Sequence, residues 1–247
     1  MPFFSIIMIT KSRADSITDS IQTLLDQDFE DWELIVKDFD RSDETEVIVK
    51  SFKDPRITYV AQSDCGIYDA LNQSIPYAKG VVVGFLHVED LLHKNALTHI
   101  STEFQTDPAC DAVCGGVRFL NKSGIVVRTW IPKRNRKYSI FLGWMPPHTG
   151  MFVKLHWYRR LIFNVNLRIA GDYDWIIRFL SYHPSVRFID NFIVDMTNSG
   201  ASKVSVTNQF NKIYEDYLVL KRFYGVAAFI PAISKPLRKI TQFWLNK

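Results

Sequence analysis

The chain has 247 residues, 47% hydrophobic and 14% aromatic, which is enough to bury one sizeable core and lies near the upper limit for a single domain. Its formal charge of +4 is uneven: Lys203 to Lys247 holds eight Lys/Arg against two acids, about +6, whereas the preceding body holds 22 basic against 24 acidic residues, about −2. The longest apolar stretch near the tail, Val226 to Ile233, is broken by Pro231 and far short of the roughly 20 residues of a spanning helix, and Cys65, Cys110 and Cys114 lack the paired spacing of a zinc site.

The N-terminus enters a strand-like run, Phe3-Phe4-Ser5-Ile6-Ile7-Met8-Ile9, without the basic start and cleavage site of a signal peptide, so a cytoplasmic protein with reduced, mostly core cysteines is expected. Helical spacing follows at Ile17, Ile21, Leu24 and Leu25, a strand at Glu33 to Val36, a helix at Val47 to Phe52 and a strand at Ile57 to Val60. This βαβαβ alternation predicts an α/β fold with a mainly parallel sheet flanked by helices. Ligands of such sheets sit beyond the carboxyl ends of the strands, where this chain carries Thr10, Asp38, Asp64 and, after the strand Val81 to Leu86, the segment His87-Val88-Glu89-Asp90.

Helical spacing is expected next over Asn95 to Phe104, for which Glu89-Asp90 could alternatively serve as an N-cap. Ala112 to Val117 and Ile125 to Trp130 read as a hairpin joined at Asn121-Lys122-Ser123-Gly124, followed by a basic loop, Lys133 to Lys137. Trp175, Ile176, Phe179 and Leu180 mark a helix with Asp172 at its N-terminal end, where the helix dipole favours an ionised carboxylate; Asp174, two residues on, points about 200° away and reads as a structural partner. Phe210, Ile213, Tyr214, Tyr217 and Tyr224 trace a last helical face before the basic tail.

Five segments in order resemble the family 2 glycosyltransferases of the GT-A fold, over roughly residues 3 to 205. They are the strand ending Ile9-Thr10-Lys11-Ser12-Arg13 with Gln27 to Asp38; Asp64-Cys65-Gly66-Ile67-Tyr68-Asp69-Ala70-Leu71-Asn72; Phe85 to Asp90; Met145-Pro146-Pro147-His148-Thr149-Gly150-Met151-Phe152; and Ile169-Ala170-Gly171-Asp172-Tyr173-Asp174. Asn198-Ser199-Gly200-Ala201-Ser202 is a weaker sixth match.

The resemblance implies a GT-A domain over 1–205, Rossmann-like and mixed but mainly parallel, and charge and apolar spacing set beside it a helical, basic, amphipathic tail over 206–247. It implies a nucleotide-sugar site built from Thr10, Arg13, Asp38, Asp64, Gly66, Asp69, Asn72 and Glu89, with Asp38 toward a uracil ring and Asp69 and Asn72 on one helix face. Asp90 aligns with the principal ligand of Mn²⁺ or Mg²⁺, although His87-Val88-Glu89-Asp90 departs from the usual pair of aspartates. His148 is implied at the diphosphate or acceptor, with a buried structural histidine as the alternative. Asp172 matches the base that activates the acceptor.

The expected reaction is inverting transfer of a hexosyl or N-acetylhexosaminyl group from a UDP-sugar to a polysaccharide or lipid-linked oligosaccharide. A divalent cation would offset the charge growing on the leaving diphosphate while a carboxylate takes the acceptor proton. Basic residues beside Phe229, Phe243 and Trp244 suit an anionic membrane surface, placing the protein peripherally on the inner face of the cell membrane; packing on its own domain or in a homodimer is the alternative. Nucleic acid is not an expected partner, since no recognition module accompanies the basic residues. A degenerate sugar- or partner-binding member of a glycan-assembly complex is the competing reading, and a nucleotidyltransferase is disfavoured because Lys11-Ser12-Arg13 lacks the glycines of a phosphate loop.

Overall fold

The computed structural model describes residues 1–132, 144–197 and 206–225, with side chains of the last segment from 211 onward. In chain order the elements are β1 (Phe4–Thr10), α1 (Ala14–Leu25), β2 (Trp32–Asp38), α2 (Thr45–Ser51), β3 (Ile57–Ala61), α3 (Ile67–Ser74), β4 (Val82–Phe85), β5 (Leu91–Leu92), α4 (Ala96–Thr106), β6 (Ala112–Leu120), β7 (Val126–Trp130), β8 (Met151–Lys154), α5 (Leu155–Arg160), α6 (Gly171–Ser181), β9 (Val186–Thr197) and α7 (Val206–Tyr224).

β1 and β2 are buried almost throughout, the pattern of parallel strands covered on both faces. They pair in parallel with Ile6 opposite Leu34; β3 continues the sheet beyond β2 and β4 beyond β1, both also parallel. Past β4 the directions mix: β8 is antiparallel to β4 and to β6, β9 runs parallel to β6, and β5 closes the edge against β9, giving the order β3-β2-β1-β4-β8-β6-β9-β5 with β7 folded back on β6. The expected hairpin is thus present as β6 and β7.

The two-residue period of β1 divides the core. Phe4, Ile6 and Met8 meet Ile17, Ile21 and Leu24 of α1 and Leu97, Ile100 and Phe104 of α4 on one face. Ile7 joins Tyr68 and Leu71 of α3 and Trp175, Ile176 and Phe179 of α6 on the other. A smaller cluster packs Leu167, Ala170, Tyr173 and Ile177 against Val219 and Leu220, so α7 lies on α6 and is continuous with the domain.

The helix expected at Asn95 to Phe104 begins after Asn95, itself left-handed at φ 63°, so Glu89 and Asp90 do not cap it. Cys110 and Cys114 are buried, and burial raises the pKa of both thiols; Cys65 is exposed. The expectations placed on Lys133 to Lys137, on Asn198 to Ser202 and on the tail beyond 225 lie outside the described residues. Among the described residues no helix is long and apolar enough to cross a membrane.

Candidate functional site

The carboxyl ends of β1, β2 and β4, with the loop after β3, open onto a cavity of about 660 Å³ lined by Thr10, Arg13, Asp64, Gly66, His87 and Glu89. Asp38 closes β2 and is buried. It does not line the cavity; its Oδ2 accepts a hydrogen bond from the Tyr59 hydroxyl at 2.9 Å, its Oδ1 has no partner among the described residues, and burial raises its pKa. The Thr10 hydroxyl is likewise buried without a partner, while Phe39 lines the cavity with the Lys11 ammonium 3.7 Å from its ring centroid.

Asp64 is held from beneath by Lys37, a wholly buried lysine that forms an ion pair with its Oδ2. Its Oδ1 accepts the Gly66 N–H at 3.0 Å, and Gly66, at φ 132°, adopts a conformation that side-chain-bearing residues rarely reach. The remaining expected members of this segment build the site without lining it. Asp69 accepts the Cys65 N–H at 2.8 Å and the Gln73 amide at 3.1 Å. Both ends of the Asn72 amide are taken by Phe163, donating to its carbonyl at 2.9 Å and accepting from its N–H at 2.8 Å. Asn72 is therefore a clamp between α3 and the loop after α5, a correction to its expected place at the nucleotide.

The acidic turn after β4 also differs from expectation. Glu89 lines the cavity and Asp90 does not; Asp90 is only 4% exposed. The reason is the backbone: Glu89 sits at φ 78°, uncommon for a non-glycine residue, and the turn closes by the Asp90 N–H donating to the His87 carbonyl at 3.1 Å. Its geometry is fixed on three sides, since the Glu89 N–H donates to Ser20 Oγ at 2.9 Å, its carbonyl accepts from Thr197 Oγ1 at 2.8 Å, and its carboxylate accepts from Arg13 at 2.8 Å and Ser16 at 3.3 Å. Burial, with Glu89 beside it, pushes the Asp90 pKa up to about 8, and its Oδ2 has no hydrogen-bond partner among the described residues.

This donor set fits a hard divalent ion. The groups are carboxyl oxygens, one on Glu89 facing the cavity and one on the buried Asp90, which would bind as the carboxylate after giving up the proton that burial favours. No cluster of three or more His, Cys, Asp or Glu gathers among the described residues, so a cation here would draw further ligands from a bound phosphate or water, as Mg²⁺ commonly does.

A second cavity, about 280 Å³, is lined by His87, Phe119, Arg128, Trp130, His148 and Asp172 among others. His87 lines both cavities and joins them. His148 sits in a short 3-10 turn with its ring stacked on Phe85, centroids 5.1 Å apart, and 6.5 Å from the His87 ring. Burial lowers the pKa of both imidazoles, that of His87 to about 4, so each is neutral near pH 7; His148 Nε2 has no partner among the described residues.

Asp172 occupies the first turn of α6, as its spacing predicts, and accepts the Tyr173 N–H at 2.8 Å. Its position is set by close packing: a Cβ at Gly171 would come within 2.6 Å of the Tyr68 ring, and the Tyr68 hydroxyl donates to the Ile169 carbonyl at 2.8 Å. Glu215 of α7 reaches the same loop and accepts the N–H groups of Arg168, Ile169 and Ala170 at 3.0, 2.8 and 2.8 Å. Asp174 is buried on the far side of the helix and pairs with Arg178 at 2.8 Å and Arg222 at 3.5 Å.

Four residues of the site escaped the sequence reading. Lys37 left a signal, a lysine closing the apolar run Leu34-Ile35-Val36 within a strand, and Phe39 follows Asp38 directly. Arg128 sits in a strand read only as part of a hairpin, and Glu215 gives no local sign of the loop some 45 residues away that it holds.

The sequence profile of Glycosyl transferase family 2 matches residues 5–165. A 131-residue stretch is 30% identical to an Escherichia coli UDP-Glc:alpha-D-GlcNAc-diphosphoundecaprenol beta-1,3-glucosyltransferase, WfgD, covering 53% of this chain and 51% of that protein, so the chain spans about half that relative's length. The fold is similar to S. aureus TarS 1-349 in complex with UDP-GlcNAc, at TM-score 0.68 and 16% identity over 100% of this chain and 74% of the other. It is also similar to the mannosyltransferase PcManGT of Pyrobaculum calidifontis in complex with GDP-Man and Mn²⁺, at TM-score 0.66 and 15% identity over 97% and 75%. These structural likenesses carry the GT-A fold.

Proposed function

The chain belongs to glycosyl transferase family 2 and is a glycosyltransferase, and from that premise we propose that it moves a sugar from a UDP-linked donor to a hydroxyl of a polysaccharide or lipid-linked glycan, with inversion. The observation that carries this reading is the pair of cavities joined at His87, one edged by Arg13, Asp64 and Glu89 and the other by Asp172. The UDP-GlcNAc bound by TarS and the UDP-Glc named for WfgD support a uridine donor, and the acceptor named for WfgD supports a lipid-linked glycan.

In this mechanism Thr10 meets the uracil edge with the buried Asp38, its register partner on β2, behind it, and the Asp64–Gly66 loop borders the ribose and phosphates. Glu89 at the cavity, backed by the buried Asp90, would hold a divalent ion together with the diphosphate, and that ion when bound would offset the negative charge growing on the leaving group. Arg13, already on Glu89, adds a second positive charge at that end. Asp172 takes the proton of the attacking hydroxyl; one base suffices for direct displacement, so no covalent intermediate is required. The neutral imidazoles of His87 and His148 wall the passage between donor and acceptor and supply hydrogen bonds without charge. The basic tail supports contact with an anionic membrane surface.

The test is nucleoside diphosphate release from a panel of nucleotide sugars with Mn²⁺, Mg²⁺ or chelator, using wild type and Asp172→Asn. Asp172→Asn should abolish transfer and leave UDP affinity within about twofold; a fully active variant would sink the assignment. One observation favours a second reading, a non-catalytic sugar-binding member: the Glu89 carboxylate is already engaged by Arg13 and Ser16. Nucleotide binding without turnover across the whole panel would put that reading first.

A further inference from the structure

The cavity beside Asp172 contains a cation for which the transfer chemistry has no use. Arg128 on β7 places its guanidinium carbon 4.7 Å from the Phe119 ring centroid and 5.4 Å from that of Trp130. Its Nε is buried and donates no hydrogen bond among the described residues, and burial alone accounts for the lowering of its pKa. Three other part-buried arginines have acid partners: Arg118 reaches Asp195 at 2.6 Å, Arg178 reaches Asp174 at 2.8 Å and Arg13 reaches Glu89 at 2.8 Å. Arg128 has no such acid among the described residues.

A guanidinium that loses hydration without gaining a carboxylate is destabilising, and a ligand oxyanion would remove that cost. Asp172 shares the cavity but forms no ion pair with Arg128, and both histidines there are neutral, so Arg128 is the one positive charge among the described lining residues. The planar fork of N–H donors suits carboxylate and phosphate oxygens, and the rings of Phe119 and Trp130 offer an apolar face beside it.

We propose that this cavity takes an acidic acceptor: the accepting sugar carries or adjoins an oxyanion, a carboxylate or a phosphate ester, received by Arg128 while Phe119 and Trp130 face the sugar ring and Asp172 faces the attacking hydroxyl. The inference rests on reading the Asp172 cavity as the acceptor side.

The experiment titrates the full chain, saturated with UDP and Mn²⁺ to fill the donor cleft, with methyl glucuronide, glucose 1-phosphate and methyl glucoside, by calorimetry or ligand-observed NMR, for wild type and Arg128→Gln. At least one charged probe should bind about tenfold to a hundredfold more tightly than the neutral one, as a lost charged hydrogen-bond pair implies. Arg128→Gln should bring the probes within about twofold while leaving UDP affinity unchanged and Tm no lower than that of wild type. Preference for the phosphate alone identifies a glycosyl phosphate acceptor, and preference for the glucuronide alone an acidic glycan. Equal binding of charged and neutral probes, no binding of either charged probe, or discrimination that survives in Arg128→Gln overturns the proposal. Failure of UDP to bind would count against the donor reading, and the same comparison made without UDP would still decide the role of Arg128.

Discussion

Glu215 lies outside both cavities, yet it holds the loop that carries Asp172, and this makes a quantitative test of how the site is positioned. Its two carboxylate oxygens accept three consecutive backbone N–H groups just ahead of α6, two at Oε2 and one at Oε1. Hydrogen bonds to a charged acceptor contribute about 1.5–3 kcal/mol each when buried. Here the Arg168 N–H is exposed and water can replace the carboxylate there, so Glu215→Ala is expected to cost about 3 kcal/mol in all, or roughly 6–12 °C in Tm for a domain of this size. A loop released by as little as about 1 Å can cost a hundredfold in rate. Transfer kcat should therefore fall about tenfold to a hundredfold with UDP affinity unchanged, because Glu215 touches none of the donor cleft. Calorimetry with UDP, a thermal melt and steady-state transfer on the same preparation give the three readouts. Unaltered kcat in a variant with lowered Tm would show that the clamp stabilises the fold without placing Asp172; equal losses in kcat and UDP affinity would mean a general loosening.

Lys37→Met should leave Asp64 without its buried counter-ion, lowering stability by about 3–5 kcal/mol and weakening UDP binding; a double variant with Asp64→Leu should recover most of the stability but none of the binding. Burial raises the Asp38 pKa, so the folded state holds that proton more tightly than the unfolded chain does. Its contribution is present below the ordinary carboxylate range and lost as pH rises through the folded pKa. Asp38→Asn should accordingly raise Tm at pH 7 relative to wild type and flatten its fall above the carboxylate range, and a lower Tm at pH 7 would contradict the burial argument.

The parallel half of the sheet was legible because its strands are continuous apolar runs and its helices carry clean three-to-four spacing, as at Ile17, Ile21 and Leu24. Of the mixed half the β6–β7 hairpin was legible and β9 was not. β9 interrupts its apolar positions with Asp190, Asn191 and Asp195, and its pairing with β6 shifts register around Gly116, so neither a two-residue period nor a length signal survives. The site divided in the same way. Residues at strand ends, Thr10, Asp38, Asp64 and Glu89, could be found from order along the chain, since a strand end is a property of local sequence. Whether a carboxylate faces the cleft or the core depends on one backbone angle at Glu89, and whether Asn72 meets a nucleotide or Phe163 depends on a loop 91 residues away. The tail shows the same limit: composition reveals its charge but gives no sign that its helix holds the loop carrying Asp172.

That last point bears on where the domain ends. Composition favours a division at 205, with everything beyond it an appendage that meets the membrane, but Val219 and Leu220 are buried against α6 and Glu215 and Arg222 are bound to it. Burying two aliphatic side chains contributes about 3–6 kcal/mol and the Glu215 clamp about 3 more. A chain cut after 205 would lose a sum comparable to the whole stability of a typical domain, and one cut after 225 would lose none of it. The expectation is that residues 1–225 remain folded and transfer sugar to short soluble acceptors at close to the full-length rate, losing only adsorption to anionic vesicles. Residues 1–205 should melt far lower or fail to fold. If 1–205 retains Tm and transfer, α7 is an appendage after all and Asp172 is placed by Tyr68 and Gly171 alone.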